Sequence, residues 1–343
     1  MKHLLLILGI CIIIAGCDLS GNLQSADEEV ILSNNYVLLA TNEGISKSIG
    51  GTPFYETIDS NNSLNGGNVY TLFNLENRLF AGTANGLYIS DDDGSNWISK
   101  GVLDGIDQVA CQAIGYVNGS AEELVLIGTE SNGMYISSNG GDNYVNVTVA
   151  DNGISSDNVT AFAVDPLAGS IFVGFDTGLY VTYTGADILD GNMGYDPIVL
   201  NLGDAASNTI NSILYAGGEN MDVYVSTDNG LFLVQWETIQ AGNYLENESV
   251  QGFAINSQGV WFAATGSRIQ ISEDNGASFI TKNWTDGLSN GLINDITIDS
   301  NDTIFISTID GVSISSDDGV TFTTYKSADG LANSSVSEVI VVE

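Results

Sequence analysis

Forty-three carboxylates, seven cations and a single histidine bound the chemistry open to this 343-residue chain. The histidine is His3, and the two arginines are Arg78 and Arg268. Two carboxylates at a suitable separation can hydrolyse a glycosidic bond, one giving a proton while the other acts as base or nucleophile. Acids occur in so many turns here that no spacing singles out one pair. His3 falls within the first seventeen residues, which do not belong to the fold, so histidine-based triads and the commonest metal ligand are both removed. The acidic turns Asp91-Asp92-Asp93 and Asp299-Ser300-Asn301-Asp302 invite calcium, which takes several carboxylate oxygens. Neither has EF-hand spacing, and solvated turns account for both; the expectation is no cofactor and no metal. Cys111 lies in a strand-like segment with no histidine to activate it, and reads as a small buried apolar side chain.

The formal charge is −36. Such a surface repels DNA, RNA and anionic lipid head groups, which excludes nucleic-acid binding. A hydrophobic content of 43% and steady periodicity argue against disorder. A solvated surface suited to a salty medium accounts for the acidity; capture of a cation or a basic partner is the sharper alternative.

Lys2 and His3 precede an apolar run from Leu4 to Ile14, which is followed by Ala15-Gly16-Cys17. The run is too short to span a bilayer and reads as a secretory signal. Ile14-Ala15-Gly16-Cys17 resembles a bacterial lipobox, which implies cleavage before Cys17 and acylation of its thiol. Residues 1–16 are then a lipoprotein signal peptide, residues 17–34 a lipidated cysteine with an acidic tether, and residues 35–343 a single domain. Several acyl chains would anchor the protein stably, at roughly 0.8 kcal/mol for each buried methylene. Contact with the membrane is expected through the Cys17 lipid only. Asp18 would favour inner-membrane retention under the enterobacterial sorting rule, whereas Ser25-Ala26-Asp27-Glu28-Glu29 is similar to tether signals of surface lipoproteins. The expected location is the cell envelope, with the outer membrane favoured. Cys11 leaves with the signal, so Cys111 is the remaining free thiol and no internal disulfide can form.

The elements that would position any site come from a cassette that recurs seven times. It is two β-rich phrases hinged on a small polar turn, as in Arg78-Leu-Phe-Ala-Gly-Thr-Ala-Asn-Gly-Leu-Tyr-Ile-Ser90. The phrase returns around Thr41, Thr129, Phe175, Thr227, Thr265 and Thr308, at spacings of 42, 46, 46, 52, 38 and 43 residues. That period suits a four-stranded propeller blade. The first cassette has no inner strand before it, and Ser335 to Glu343 is a surplus strand matching the other inner strands. The fold predicted is a seven-bladed, all-β propeller, closed by residues 335–343 pairing into the N-terminal blade.

Four cassettes run on into a second pattern, Ser-x-[Asp/Asn]-x-Gly-x-x-aromatic. Its members are Ser90, Asp92, Gly94 and Trp97; Ser137, Asn139, Gly141 and Tyr144; Ser272, Asp274, Gly276 and Phe279; Ser315, Asp317, Gly319 and Phe322. The pattern resembles the Asp-box, or BNR repeat, of sialidases and related propellers, which implies a structural role for these residues. Physically, a carboxylate can cap backbone N–H groups, glycine takes the corner, and the aromatic packs between blades. The lead-ins Asp286-Gly287-Leu288 and Asp329-Gly330-Leu331, with Asp151-Asn152-Gly153-Ile154, are similar to the two-component-regulator propeller repeat, whose family forms periplasmic ligand-sensing domains. No kinase or DNA-binding region accompanies them. Sialidase activity does not carry over, because that family grips its substrate carboxylate with three arginines and this chain has two. Propeller photosystem-assembly factors are similar at the level of the repeats alone, and their arginine patch has no counterpart here.

The expected function is a non-enzymatic, lipid-anchored, monomeric module that binds an envelope protein or a glycan. The alternative is an Asp-box-type glycoside hydrolase or lyase that uses a carboxylate pair. Turns between second and third strands should share one face of the disc, opposite the Asp-box turns. They carry the candidate binding residues Glu43, Asn85, Glu130, Asp176, Asp228, Arg268 and Asp310. Arg268 either neutralises neighbouring acids or fixes an acidic group within an otherwise acidic ring.

Overall fold

The computed structural model describes residues 36–49, 52–65, 67–100, 106, 109–118, 123–149, 156–167, 169–182, 196–198, 209–218, 222–235 and 242–342. The leader, Cys17, the tether and Asp151 to Ile154 lie outside the described residues.

Seven four-stranded antiparallel sheets make seven blades. Blade one holds β1 (Tyr36–Thr41), β2 (Gly44–Ile49) and β3 (Thr52–Ile58), and blade two β4 (Val69–Leu75), β5 (Arg78–Thr83), β6 (Gly86–Ser90) and β7 (Ile98–Ser99). Blade three has β8 (Cys111–Asn118), β9 (Glu123–Thr129), β10 (Met134–Ser137) and β11 (Val145–Val147). Blade four has β12 (Val159–Val164), β13 (Ile171–Phe175), β14 (Gly178–Thr182) and β15 (Asp196–Ile198). In blade five come β16 (Ile210–Gly217), β17 (Asp222–Thr227), β18 (Gly230–Gln235) and β19 (Gly242–Tyr244). Blade six is β20 (Val250–Ile255), β21 (Trp261–Thr265), β22 (Arg268–Ser272) and β23 (Ile280–Lys282). Blade seven is β24 (Ile293–Ile298), β25 (Ile304–Thr308), β26 (Gly311–Ser315) and β27 (Thr323–Tyr325). The last strand, β28 (Val336–Val342), returns to blade one and pairs with β1 from Tyr36↔Val342 to Thr41↔Val336. The predicted closure is therefore observed.

The threonine that ends most second strands builds the hairpin that follows. Thr83 Oγ1 donates to the Gly86 carbonyl at 2.8 Å and accepts from Asn85 N at 3.1 Å. Thr41, Thr227 and Thr308 repeat both bonds. Gly86 adopts φ 119° at this corner, a conformation side chains disfavour. Blade six lacks that glycine, and its Thr265 hydroxyl is buried without a hydrogen-bond partner.

The core lies in the seams between blades. Six apolar clusters each join two neighbours; one unites Leu38, Ile45 and Ile58 of blade one with Val69, Leu79 and Trp97 of blade two. Close approach sets residue size at these seams. A Cβ on Gly82 would sit 2.7 Å from the Cys111 carbonyl oxygen on the next blade's inner strand. The lead-in leucines Leu288 and Leu331 are buried, while Asp286 and Asp329 cap the short turns they end by accepting from Asn283 N and Lys326 N. At the seventh seam, Asn294 Nδ2 and Thr297 Oγ1 of blade seven donate to the Val336 and Val339 carbonyls of β28.

Candidate functional site

Each inner strand begins at the end of the disc that carries the turns between second and third strands. Glu43, Asn85, Glu130, Asp176, Asp228 and Arg268 are exposed there, and Asp310 is half-buried. Asp228 accepts from Asn211 Nδ2 of its own blade and from Ser249 Oγ. Arg268 pairs with Glu248 at 3.0 Å. Lys326 pairs with Asp310 at 2.6 Å, a second cation that the repeat did not reveal because it comes from the connection leaving blade seven. Blades six and seven thus carry ion pairs, and Glu43, Glu130, Asp176 and Asp228 mark the acidic remainder of this face.

Inside the face lies a feature absent from the predicted residues. Every inner strand has a register shift near its start, so that one residue is extra relative to the second strand. These bulges fall at Tyr70, Gln112, Thr160, Asn211, Gln251, Asn294 and Ser337, each polar and each preceded by a buried apolar residue. A bulge re-aims its side chain out of the ladder. All seven line a central cavity of about 340 Å³. Three of the amides also tie neighbouring blades together: Gln112 donates to the Val159 carbonyl, Asn211 to that of Val250 and Asn294 to that of Val336.

The residue one past the bulge is small in four blades, at Thr71, Ala113, Ala161 and Ser212, and Gly252 occupies this place in blade six. In the adjacent blades seven and one it is Asp295 and Glu338. Small neighbours make the room. A Cβ on Gly252 would stand 3.0 Å from Asp295 Oδ1, and Glu338 Oε2 accepts from Leu72 N of blade two at 2.7 Å. Among the described residues no Lys, Arg or His lines the cavity. Burial pushes the Asp295 carboxyl up to about 7, against a hydrogen bond from Ile296 N that favours its charge. Burial first, and then the nearby Asp295 charge, push Glu338 up to about 8. The two behave as a pair that holds a proton near neutrality. Two flat apolar groups, Phe162 of blade four and Phe253 of blade six, line the same cavity.

The opposite end of the disc carries the turns between third and fourth strands. In the first of the four Ser-x-[Asp/Asn]-x-Gly turns, Ser90 Oγ donates to Asp92 Oδ1 at 2.9 Å and accepts from Gly94 N at 3.0 Å. Asp92 accepts from Asn96 N at 2.8 Å and from the Asn96 amide at 2.7 Å. Asp274 and Asp317 repeat the scheme with Ser278 and Thr321; in the remaining turn Asn139 Oδ1 accepts from Ser137 Oγ and Asn143 N, and Ser137 Oγ accepts from Gly141 N. Trp97 and Phe322 are buried, Tyr144 and Phe279 half-buried, each in a seam cluster. The Asn96 amide, with its backbone N–H, holds Asp92 below the ordinary carboxylate range, and Ser278 does the same for Asp274. At Asp317 burial works upward, but the combined hydrogen bonds, led by Thr321, bring the net shift down.

The other acidic turns are likewise spent on protein groups. Asp299 Oδ1 accepts from Asn301 N and Thr303 N, and Asp302 from Ser257 N. Among the described residues no three of Asp, Glu, His or Cys gather where a metal ion could be held. Cys111 is fully buried, and burial pushes its thiol up to about 12.

No known family profile matches the chain, and no curated protein matches it. Solved structures do. The extracellular domain of the hybrid two-component system BT4673 from B. thetaiotaomicron superposes with a TM-score of 0.69 at 18% identity, covering 85% of this chain and 38% of that one. The corresponding domain of BT3049 gives 0.68 at 17%, covering 84% and 39%. YCF48 from Cyanidioschyzon merolae gives 0.58 at 14%, covering 82% and 90%. This chain spans under two-fifths of the length of the two bacterial sensor domains. The likeness is one of fold: a seven-bladed propeller of the kind found in extracellular sensor domains.

Proposed function

We propose that this protein is a lipid-anchored binding module of the cell envelope, held to the membrane by an acylated Cys17, and that it engages an envelope protein or a glycan without transforming it. The observation that carries the reading is the ring of bulged polar side chains around the cavity, one from each blade, framed by the exposed turns at the same end. Convergent polar groups in a concave site fix the orientation of a ligand and give it specificity. Solved sensor domains of the same fold support a binding role. No described helix is long and apolar enough to cross a membrane, so the lipid supplies the attachment in this reading.

The test pairs a glycan array with capture from an envelope extract, using the protein and a Gln112→Ala, Asn211→Ala, Asn294→Ala variant. Binding by the parent that the variant loses supports the module. Equal binding by both places the ligand elsewhere. For the anchor, Cys17→Ser should move the protein from the membrane to the soluble fraction, and unchanged membrane association would refute acylation.

One observation favours a second reading, hydrolysis or elimination at a glycosidic bond. Asp295 and Glu338 form a carboxyl pair in a cavity that Tyr70, Phe162 and Phe253 also line, and a proton held near neutrality suits a general acid. Release of reducing ends from an array-positive glycan, abolished by Asp295→Asn and by Glu338→Gln, would establish it. Intact glycan after long incubation would remove it.

A further inference from the structure

The acid pair sits on the seam that closes the ring. Glu338 belongs to β28, the strand that joins the two ends of the chain, and Asp295 to β24, its neighbour in blade seven. Besides its ladder with β1, β28 is fastened by the Asn294 and Thr297 hydrogen bonds on one side. On the other side Glu338 Oε2 receives Leu72 N, a link across 266 residues of sequence. We infer that closure of the propeller is controlled by protons: β28 stays in place while at least one of Asp295 and Glu338 is protonated, and loosens when both are ionised.

The ionisable groups around the pair are few. β24 supplies Asp295, β4 supplies Tyr70 and β1 supplies Tyr36, while β20, β21 and β25 carry none. Ionising both carboxyls therefore places two like charges across the seam with no cation among the described residues lining the cavity to offset them. Both acids stand above the ordinary range, so the charge builds as pH rises past neutrality. Among the described residues that line the cavity, Asp295 and Glu338 are the two carboxyls, and both lie at the β28 seam, so loosening starts there. The same carboxyls line the cavity, and opening the seam would change its shape.

Hydrogen exchange of the full protein between pH 6 and pH 9 tests this, with protection factors corrected for the intrinsic pH dependence of exchange. Protection of β28 should fall at least about tenfold relative to β20, because a proton bound tenfold more tightly in the closed seam than in the open one shifts that equilibrium tenfold when it is lost. Glu338→Gln and Asp295→Asn should each keep the ratio constant; either alone suffices if the other fails to fold. A constant ratio in the parent would overturn the inference. So would an equal fall in all inner strands, or a fall as steep in both variants.

Discussion

The turns at one end of the disc and the channel treat carboxylates in opposite ways. At the turns between third and fourth strands, Asp92, Asp274 and Asp317 are surrounded by donors and held below the ordinary carboxylate range. In the channel, Asp295 and Glu338 are half-buried in the cavity wall, lie close enough for the charge of Asp295 to act on Glu338, and stand well above it. The first environment makes a carboxylate a fixture: its charge is spent on backbone and hydroxyl groups of its own turn. The second leaves titratable groups inside a cavity, where burial acts on charge with little compensation. Acidity alone therefore says nothing about role in this chain, because donors or their absence decide it.

The largest expected effect comes from removing one side of the comparison. Deleting residues 335–343 takes away Glu338, buried Val336 and Val339 and one of the two strands that pair with β1. Each buried aliphatic is worth about 1.5–3 kcal/mol, and together with the lost ladder this approaches the roughly 5–15 kcal/mol that holds a domain folded. The truncated protein should show no cooperative urea transition; a transition matching the parent's would refute closure by this strand.

Next in size is Trp97→Ala at the other end. The indole is buried in the seam between blades one and two and donates to the Gly94 carbonyl at 3.1 Å, so its loss should cost about 3–5 kcal/mol. The adjacent Ile98 is exposed, and Ile98→Ala should stay within about 0.5 kcal/mol in the same denaturation series. Equal effects would mean that the turn aromatics do not hold the blades together.

A smaller effect separates the two kinds of acid by pH. Asp317 has a lowered folded value, so its contribution is fully present above the unfolded value near 3.9 and is lost as pH falls through the folded one. Asp295 and Glu338 have raised folded values, so stability is greatest below about 4 and declines as pH rises from there toward 7 and 8. Asp317→Ala should cost about 1 kcal/mol at pH 7 and flatten the acid limb, leaving the neutral-to-alkaline decline intact. Glu338→Gln should flatten that decline and leave the acid limb. Urea titrations at pH 3, 5, 7 and 9 distinguish the two, and identical profiles would erase the distinction. The smallest effect belongs to Arg268→Ala, where an exposed pair with Glu248 is worth about 0–1 kcal/mol of stability; a larger loss in thermal melts would show that this pair supports blade six.

Much of the fold was legible because its signals are local and repeated. The threonine hairpins, the Ser-x-[Asp/Asn]-x-Gly turns and the surplus strand at Ser335 to Glu343 each state their role within a dozen residues. The channel was harder to read. Strand alternation assigns faces only while pairing is regular, and the bulges at Tyr70, Asn294 and Ser337 reset the phase where the cavity begins. A usable signal was nonetheless present: a polar residue after the first buried apolar residue of every inner strand, then a small residue in most blades and an acid in two. Asp295 and Glu338 lie 43 positions apart, and only ring closure brings their strands together. The Lys326–Asp310 pair was hidden for a similar reason, since the cation comes from a connection outside the repeated phrase.

The most direct measurement is a carboxyl-detected NMR titration of the intact protein, with Asp317 and Glu338 assigned through Asp317→Asn and Glu338→Gln. Asp317 should titrate below the ordinary carboxylate range while Glu338 titrates near 8. Both groups titrating together near pH 4 would contradict the division of acids into fixtures and proton holders.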